Sequence, residues 1–253
     1  MKQKEEQNSK VLLLFSGGLD TTLEAMGLAE RYREVHLLTF QNGFCLRIGS
    51  ASRSANELRK LCGPDKIIHD YLNTYPWIKS LLPRFGRLWK KYRSPLIIDM
   101  FCKAGAIAAM IEYGIRREIF LCSDGSSKDQ TQVFIQHPAF REHIKPCVRE
   151  FGLQFMEPIY GNLGRREKYE RLIELGFKGG KKWLEKLYIT SQLFHQPFCL
   201  IGFSTYFFTS PTRDLPFIRP FGLSLEEAGK LWDELWPEIR SRLNQRLKVR
   251  RPE

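Results

Sequence analysis

Short apolar runs separated by segments of helical period fill the first 160 residues, and this alternation restricts the chain more than any other feature of it. A strand covered on both faces reads as a continuous apolar run, and a helix between two such strands is the connection that parallel pairing requires. Val11 to Phe15 reads as the first strand, Thr21 to Tyr32 as a helix and Val35 to Phe40 as the second strand. Asn56 to Leu61 continues a second helix, and Lys66 to Asp70 is a third strand after the Gly63-Pro64 break. Leu96 to Tyr113, ended by Gly114, has the length and small-residue content of a packed helix, and strands follow at Glu118 to Cys122 and Leu153 to Glu157. The pattern predicts an α/β domain with a parallel sheet over residues 1–160. Residues 161–253, where charged helical stretches alternate with Gly and Pro, are expected to form a smaller, mainly helical, basic region. There Ser224 and Glu227 fit a capping box that opens a helix carrying Leu225, Ala228, Leu231, Leu235 and Ile239 on one face, which Pro237 should bend or interrupt.

At 253 residues, 43% of them hydrophobic, the chain is able to bury a core without disulfide or metal staples. Its six cysteines contain no C-x-x-C pair, which argues against a structural zinc site. The polar stretch Met1 to Glu6 has no apolar segment behind it and no run is long enough to span a bilayer, so no membrane partner and a cytoplasmic setting with reduced thiols are expected. A formal net charge of +12 favours a polyanionic partner, nucleic acid first.

The loop after the first strand, Ser16-Gly17-Gly18-Leu19-Asp20-Thr21-Thr22, has the chemistry for phosphate. Two glycines allow a tight turn and close backbone approach, and the following helix aims its N–H groups and positive dipole end at an anion. Ser16 and Thr21 add hydroxyl donors. Asp20 repels bare phosphate, so it reads as a Mg²⁺ ligand or a helix cap. No G-x-x-x-x-G-K-[ST] string occurs, since Gly180-Lys181 is followed by Lys182.

In Ser16 to Thr21 the chain resembles the PP-loop ATP pyrophosphatases, whose signature SGG-x-D-[ST] is matched in full. The resemblance implies an adenine-nucleotide α-hydrolase (HUP-like) fold, ATP and Mg²⁺ as cofactors, and activation of a carbonyl or carboxylate oxygen as an adenylate with release of pyrophosphate. Ser16, Gly17, Gly18, Asp20, Thr21 and Thr22 would hold the nucleotide. Ser123 to Gln130 looks like the family's second loop, in which Gly125 would meet the nucleotide, Lys128 would stabilise charge on the phosphate, and Asp124 and Asp129 would join Asp20 as metal ligands.

Sulfur-transferring members resemble the chain at Asp99 to Lys103. Cys102 near a helix start and beside Lys103 is either a nucleophile able to carry a persulfide or a small buried apolar residue. Cys199 is a second, weaker thiol candidate, Cys122 lines the site, and Cys45, Cys62 and Cys147 are read as structural. The deazaguanine synthases of the family carry a cluster of zinc cysteines near the C-terminus, where this chain has Cys199 alone. Lys79, Arg84, Arg87, Lys90, Lys91 and Arg93, interleaved with Trp77, Phe85, Trp89 and Tyr92, are either an RNA-gripping stretch or a solvated helix whose rings face the core. Basic clusters at Arg165 to Lys186 and Arg240 to Arg251 would widen such a footprint. The leading expectation is adenylation of a nucleobase carbonyl, in tRNA or another nucleic acid, with sulfur delivered through Cys102 from a donor protein. The alternatives are activation of a carboxylate on a small molecule or protein, and a nucleotide-binding assembly module without turnover. Oligomerisation is left open.

Overall fold

The structure, a computed structural model, describes residues 9–46, 49–125, 137–177, 198–199 and 222–248. In chain order the elements are β1 Lys10–Leu14, α1 Leu19–Arg31, β2 Glu34–Gln41, β3 Cys45–Leu46, α2 Gly49–Cys62, β4 Ile67–Asn73, α3 Tyr75–Leu81, a 3-10 turn Leu82–Arg84 and α4 Phe85–Tyr92. They continue with α5 Leu96–Arg117, β5 Leu121–Ser123, α6 Pro138–Arg149, β6 Gln154–Phe155, α7 Arg165–Glu174, β7 Phe198–Cys199 and α8 Leu225–Lys248. Five strands form one sheet in the order β4-β2-β1-β5-β6, and every pairing in it is parallel. This is the α/β parallel-sheet class expected, with β1 at the centre because its apolar run is covered on both sides.

The two-residue alternation of a strand sorts the core. Val11 and Leu13 enter one buried cluster with Leu23 and Leu28 of α1, Ala51, Ala55 and Leu58 of α2, and Leu172 of α7. Leu12 enters the other with Ile107 and Met110 of α5, Ile144 of α6, and Leu231, Trp232 and Leu235 of α8. Leu12 and Leu13 are both fully buried; each such side chain contributes about 1.5–3 kcal/mol relative to an exposed one.

Several boundaries differ from the sequence reading, for physical reasons. The helix expected to stop at Gly114 runs on to Arg117. That glycine serves close packing instead: a Cβ there would lie 2.7 Å from the Ile119 carbonyl oxygen and 2.9 Å from Leu153. The stop is made by Glu118 at φ 56, so the next strand starts at Leu121 and not at 118. β6 shrinks to Gln154–Phe155, and the second helix starts earlier, at Gly49. The capping box forms as expected, Glu227 N–H donating to Ser224 Oγ at 3.2 Å and Ser224 N–H to Glu227 Oε2 at 2.9 Å. α8 then continues through Pro237, with Leu235 and Ile239 buried on either side of it. No helix among the described residues is long and apolar enough to cross a membrane.

Candidate functional site

The strand order reverses between β1 and β5: the chain moves from β1 to β2 and β4 on one side, and from β5 to β6 on the other. The crevice beyond the carboxyl ends at such a switch point is where open α/β sheets bind ligands. Here it is bordered by Ser16 to Thr21 after β1 and by Asp124-Gly125 after β5.

The floor of the first loop is fixed by the strands. Phe15 N–H donates to the Leu38 carbonyl at 2.8 Å, and the Phe15 carbonyl accepts from Thr39 Oγ1 at 2.8 Å. A hydroxyl has one hydrogen, so His69 Nε2, 2.9 Å from the same Oγ1, is the donor in that contact. Burial and the nearby Arg59 charge push the His69 imidazole down to about 4, with Asp70 opposing. Above this floor Gly17 takes φ +71. α2 presses on it so closely that a Cβ would lie 2.9 Å from Ala51 Cα, while Ser54 Oγ donates to the Gly17 carbonyl at 3.1 Å. Gly18 is the extended N-cap of α1 and, as a glycine, supplies no capping side chain. Ser16 Oγ accepts from Gly18 N–H at 3.3 Å and lies 3.2 Å from Thr21 Oγ1. Thr22 is buried, and its hydroxyl has no hydrogen-bond partner among the described residues.

The second loop leans on the first. Gly125 takes φ +61, and a Cβ there would lie 3.2 Å from Thr21 Cα. Two tethers that sequence reasoning missed hold the arrangement. Lys168 of α7, 3% exposed, places Nζ 2.6 Å from Asp20 Oδ1. Glu24 of α1, 2% exposed, accepts from Ser123 Oγ at 3.1 Å, from Ile159 N–H at 2.9 Å and from Tyr160 N–H at 3.4 Å. Burial raises its carboxyl above the ordinary range against those bonds, and Asp124 adds to the rise. Nothing local in the sequence marks either residue. Lys168 lies 148 residues from its partner, inside a cluster that reads as surface charge.

Asp124, expected as a metal ligand, sits among cations: Arg141 Nη1 is 3.6 Å from Oδ1 and Lys103 Nζ 4.0 Å from Oδ2. Burial and the Arg141 charge lower the Lys103 ammonium, while Asp124 pulls it back. Among the described residues no three His, Cys, Asp or Glu side chains converge on one metal position. Lys128 and Asp129 lie outside the described residues.

Cys102 falls in the second turn of α5, half-buried, and accepts from Asn42 Nδ2 at 3.5 Å. The same Asn42 accepts from Cys45 Sγ through Oδ1 at 3.1 Å, so a thiol read as structural shares a partner with the candidate one. Cys45 is also in register with Cys199 across the β3–β7 ladder. Burial pushes up the thiols of Cys62, Cys122 and Cys147. In the basic stretch Trp77 is buried, and Phe85, Trp89 and Tyr92 pack against the core. Lys79, Arg87, Lys90, Lys91 and Arg93 are exposed. The stretch thus presents charge while its rings turn inward, and Arg84 and Lys91 pair with Glu238 and Glu234 of α8.

No family model matches the chain, and no curated protein does. Among solved structures it is similar to a predicted subunit of a tRNA methyltransferase from Methanocaldococcus jannaschii, with TM-score 0.42 and 19% identity over 66% of this chain and 76% of that one. It is similar to NAD+ synthetase from Burkholderia pseudomallei, with TM-score 0.46 and 12% identity over 97% and 82%. It is also similar to NMN synthetase from Francisella tularensis, with TM-score 0.42 and 13% identity over 91% and 86%. A likeness of this degree is one of outline.

Proposed function

We propose that the protein binds Mg·ATP at the loop between β1 and α1 and cleaves it between the α and β phosphates, transferring AMP to an oxygen of an acceptor and releasing pyrophosphate. The observation that carries this reading is the amino end of α1, opened by Gly17 at φ +71 and set at the switch point of a parallel sheet. Helix N–H groups, the positive dipole end and the hydroxyls of Ser16 and Thr21 suit phosphate oxygens. Lys168 brings a cation to the same rim. The match of Ser16 to Thr21 with the PP-loop signature is what directs cleavage to the α–β bond.

The donor set also fits Mg²⁺. That ion ordinarily takes one or two carboxylates and completes its shell with water and phosphate oxygens, so Asp20, 30% exposed at the rim, would hold it. When bound, the ion supplies charge neutralisation on the phosphates. The test is calorimetry with Mg·ATP followed by product analysis with acceptor present. AMP and pyrophosphate are expected; ADP and phosphate would overturn the reading.

A second, finer reading is sulfur transfer to a nucleobase in tRNA, and Asn42 supports it by joining Cys45 and Cys102. Under it Cys102→Ser still releases pyrophosphate but forms no thiolated product, because a serine hydroxyl carries no sulfane sulfur. Full product from that variant would return Cys102 to a packing role.

A further inference from the structure

Beside the phosphate loop, on the β5 side of the switch point, stands a charged cluster that nucleotide binding leaves unused. Arg141 from α6 and Lys103 from α5 flank Asp124, with side chains 7%, 12% and 5% exposed. Buried charges in proteins ordinarily close their hydrogen bonds on one another. These do not. Arg141 gives Nη2 to Glu157 at 2.9 Å, but its Nε and Nη1 are buried with no hydrogen-bond partner among the described residues. Its Nη1 and the Lys103 ammonium stay at 3.6 and 4.0 Å from the one carboxylate between them. Asp124 lies between the two cations, and two donor atoms of Arg141 remain unused among the described residues. Of the surrounding charges, Glu157 is 62% exposed and is shared with Lys145.

We infer that Arg141 and Lys103 form the seat for a carboxylate on the acceptor, which makes the acceptor a carboxylic acid. This rests on the ATP reading above and not on sulfur transfer. The placement suits the chemistry. Asp124 directly precedes Gly125, whose backbone lies against Thr21 of the phosphate loop, so an anion held here stands next to the nucleotide. One carboxylate oxygen attacks the α phosphorus, the bond from that phosphorus to the bridging oxygen breaks, and pyrophosphate leaves with the electron pair. An acyl adenylate results, with no change of oxidation state. The donors lie too deep for the backbone phosphates of a folded RNA, which makes a small carboxylate the anion that suits them.

The probe is formate, the smallest carboxylate, exchanged for chloride at constant ionic strength in thermal unfolding with saturating Mg²⁺ and α,β-methylene ATP present. Formate is expected to raise the wild-type midpoint by about 2–4 °C and to leave Arg141→Gln unmoved. Lys103→Met should respond weakly, and it carries the test if Arg141→Gln fails to fold. Calorimetry should find the analogue's affinity in both variants within about twofold of wild type. An equal response of wild type and variants to formate, or no response in any, overturns the inference. A shift with inorganic phosphate that formate does not give, lost in Arg141→Gln, makes the seat a phosphate site and overturns it too. If the wild type does not bind the analogue, the ATP reading falls; formate without nucleotide then decides the seat by itself.

Discussion

At the scale of single residues, the site is a set of charges made tolerable by partners far away in the chain. Asp20→Asn should release no pyrophosphate and should also lower stability by about 1–3 kcal/mol, because Lys168 keeps its charge at 3% exposure and loses the carboxylate charge 2.6 Å away. Lys168→Met removes the buried charge and leaves only Asp20, 30% exposed, so it should stay closer to wild type in urea while binding Mg·ATP at least about tenfold more weakly. Equal stability of Asp20→Asn and wild type would mean that the pair is not formed. His69 gives a pH signature. Its native imidazole titrates at about 4, below the ordinary 6.5, so the unfolded chain binds more protons between those values. Stability therefore rises with pH through that window and is lost as pH falls through it. His36, lowered by burial, acts in the same sense, while Glu24, raised by burial, acts in the opposite one above 4.5. His69→Gln keeps a donor for Thr39 and should flatten the acid limb of a urea-midpoint series taken against pH. An unchanged limb would remove His69 from the account. Ser16 to Thr21 were legible in sequence because the loop's chemistry is local: glycines, hydroxyls and a helix start lie within six positions. Glu24, Arg141 and Lys168 were not legible, since each is defined by a partner that only the fold supplies.

At the scale of elements, glycines set how closely α2 approaches the phosphate loop and α5 the sheet. Gly114→Ala should cost about 1–3 kcal/mol, because the new methyl meets the Ile119 carbonyl oxygen at 2.7 Å and that atom belongs to backbone. Chemical denaturation checks it, and an unchanged midpoint would show that the turn at Glu118 gives way freely. The same glycine explains an error of reading. In sequence a glycine at the end of an apolar helical run looks like a stop, whereas here closeness to Leu12 and Leu153 requires it and the chain turns four residues later. The five strands of the parallel sheet followed from apolar runs, while their order and their ends did not: β5 and β6 have three and two residues.

At the scale of the whole molecule, α8 belongs with the elements it covers. Leu231, Trp232, Leu235, Ile239 and Leu243 are fully buried and join the same cluster as Leu12 and Phe101. Trp232 Nε1 donates to Cys147 Sγ, and its ring stacks on Trp236. Truncation before residue 222 should therefore expose the outer face of α5 and give an expanded, dye-binding chain with weakened near-UV dichroism. A truncated chain that unfolds cooperatively at the wild-type midpoint would show that α8 adds nothing to the core. The start and amphipathic pattern of α8 were readable, whereas its run past Pro237 to Lys248 and its seat on α5 were not, because periodicity names a face and not what covers it.

The three bonds of Glu24 also bear on how the protein comes into being. A polypeptide is made from its amino end, so Glu24 leaves the ribosome before the Ile159 amide that satisfies it, which is synthesised 135 residues later. In the interval the carboxylate can enter the apolar interior only by taking up a proton or by carrying water with it, and each is unfavourable. The helix that follows the phosphate loop is thus completed only once residue 159 has been made, and a nascent chain arrested short of residue 159 should not retain nucleotide.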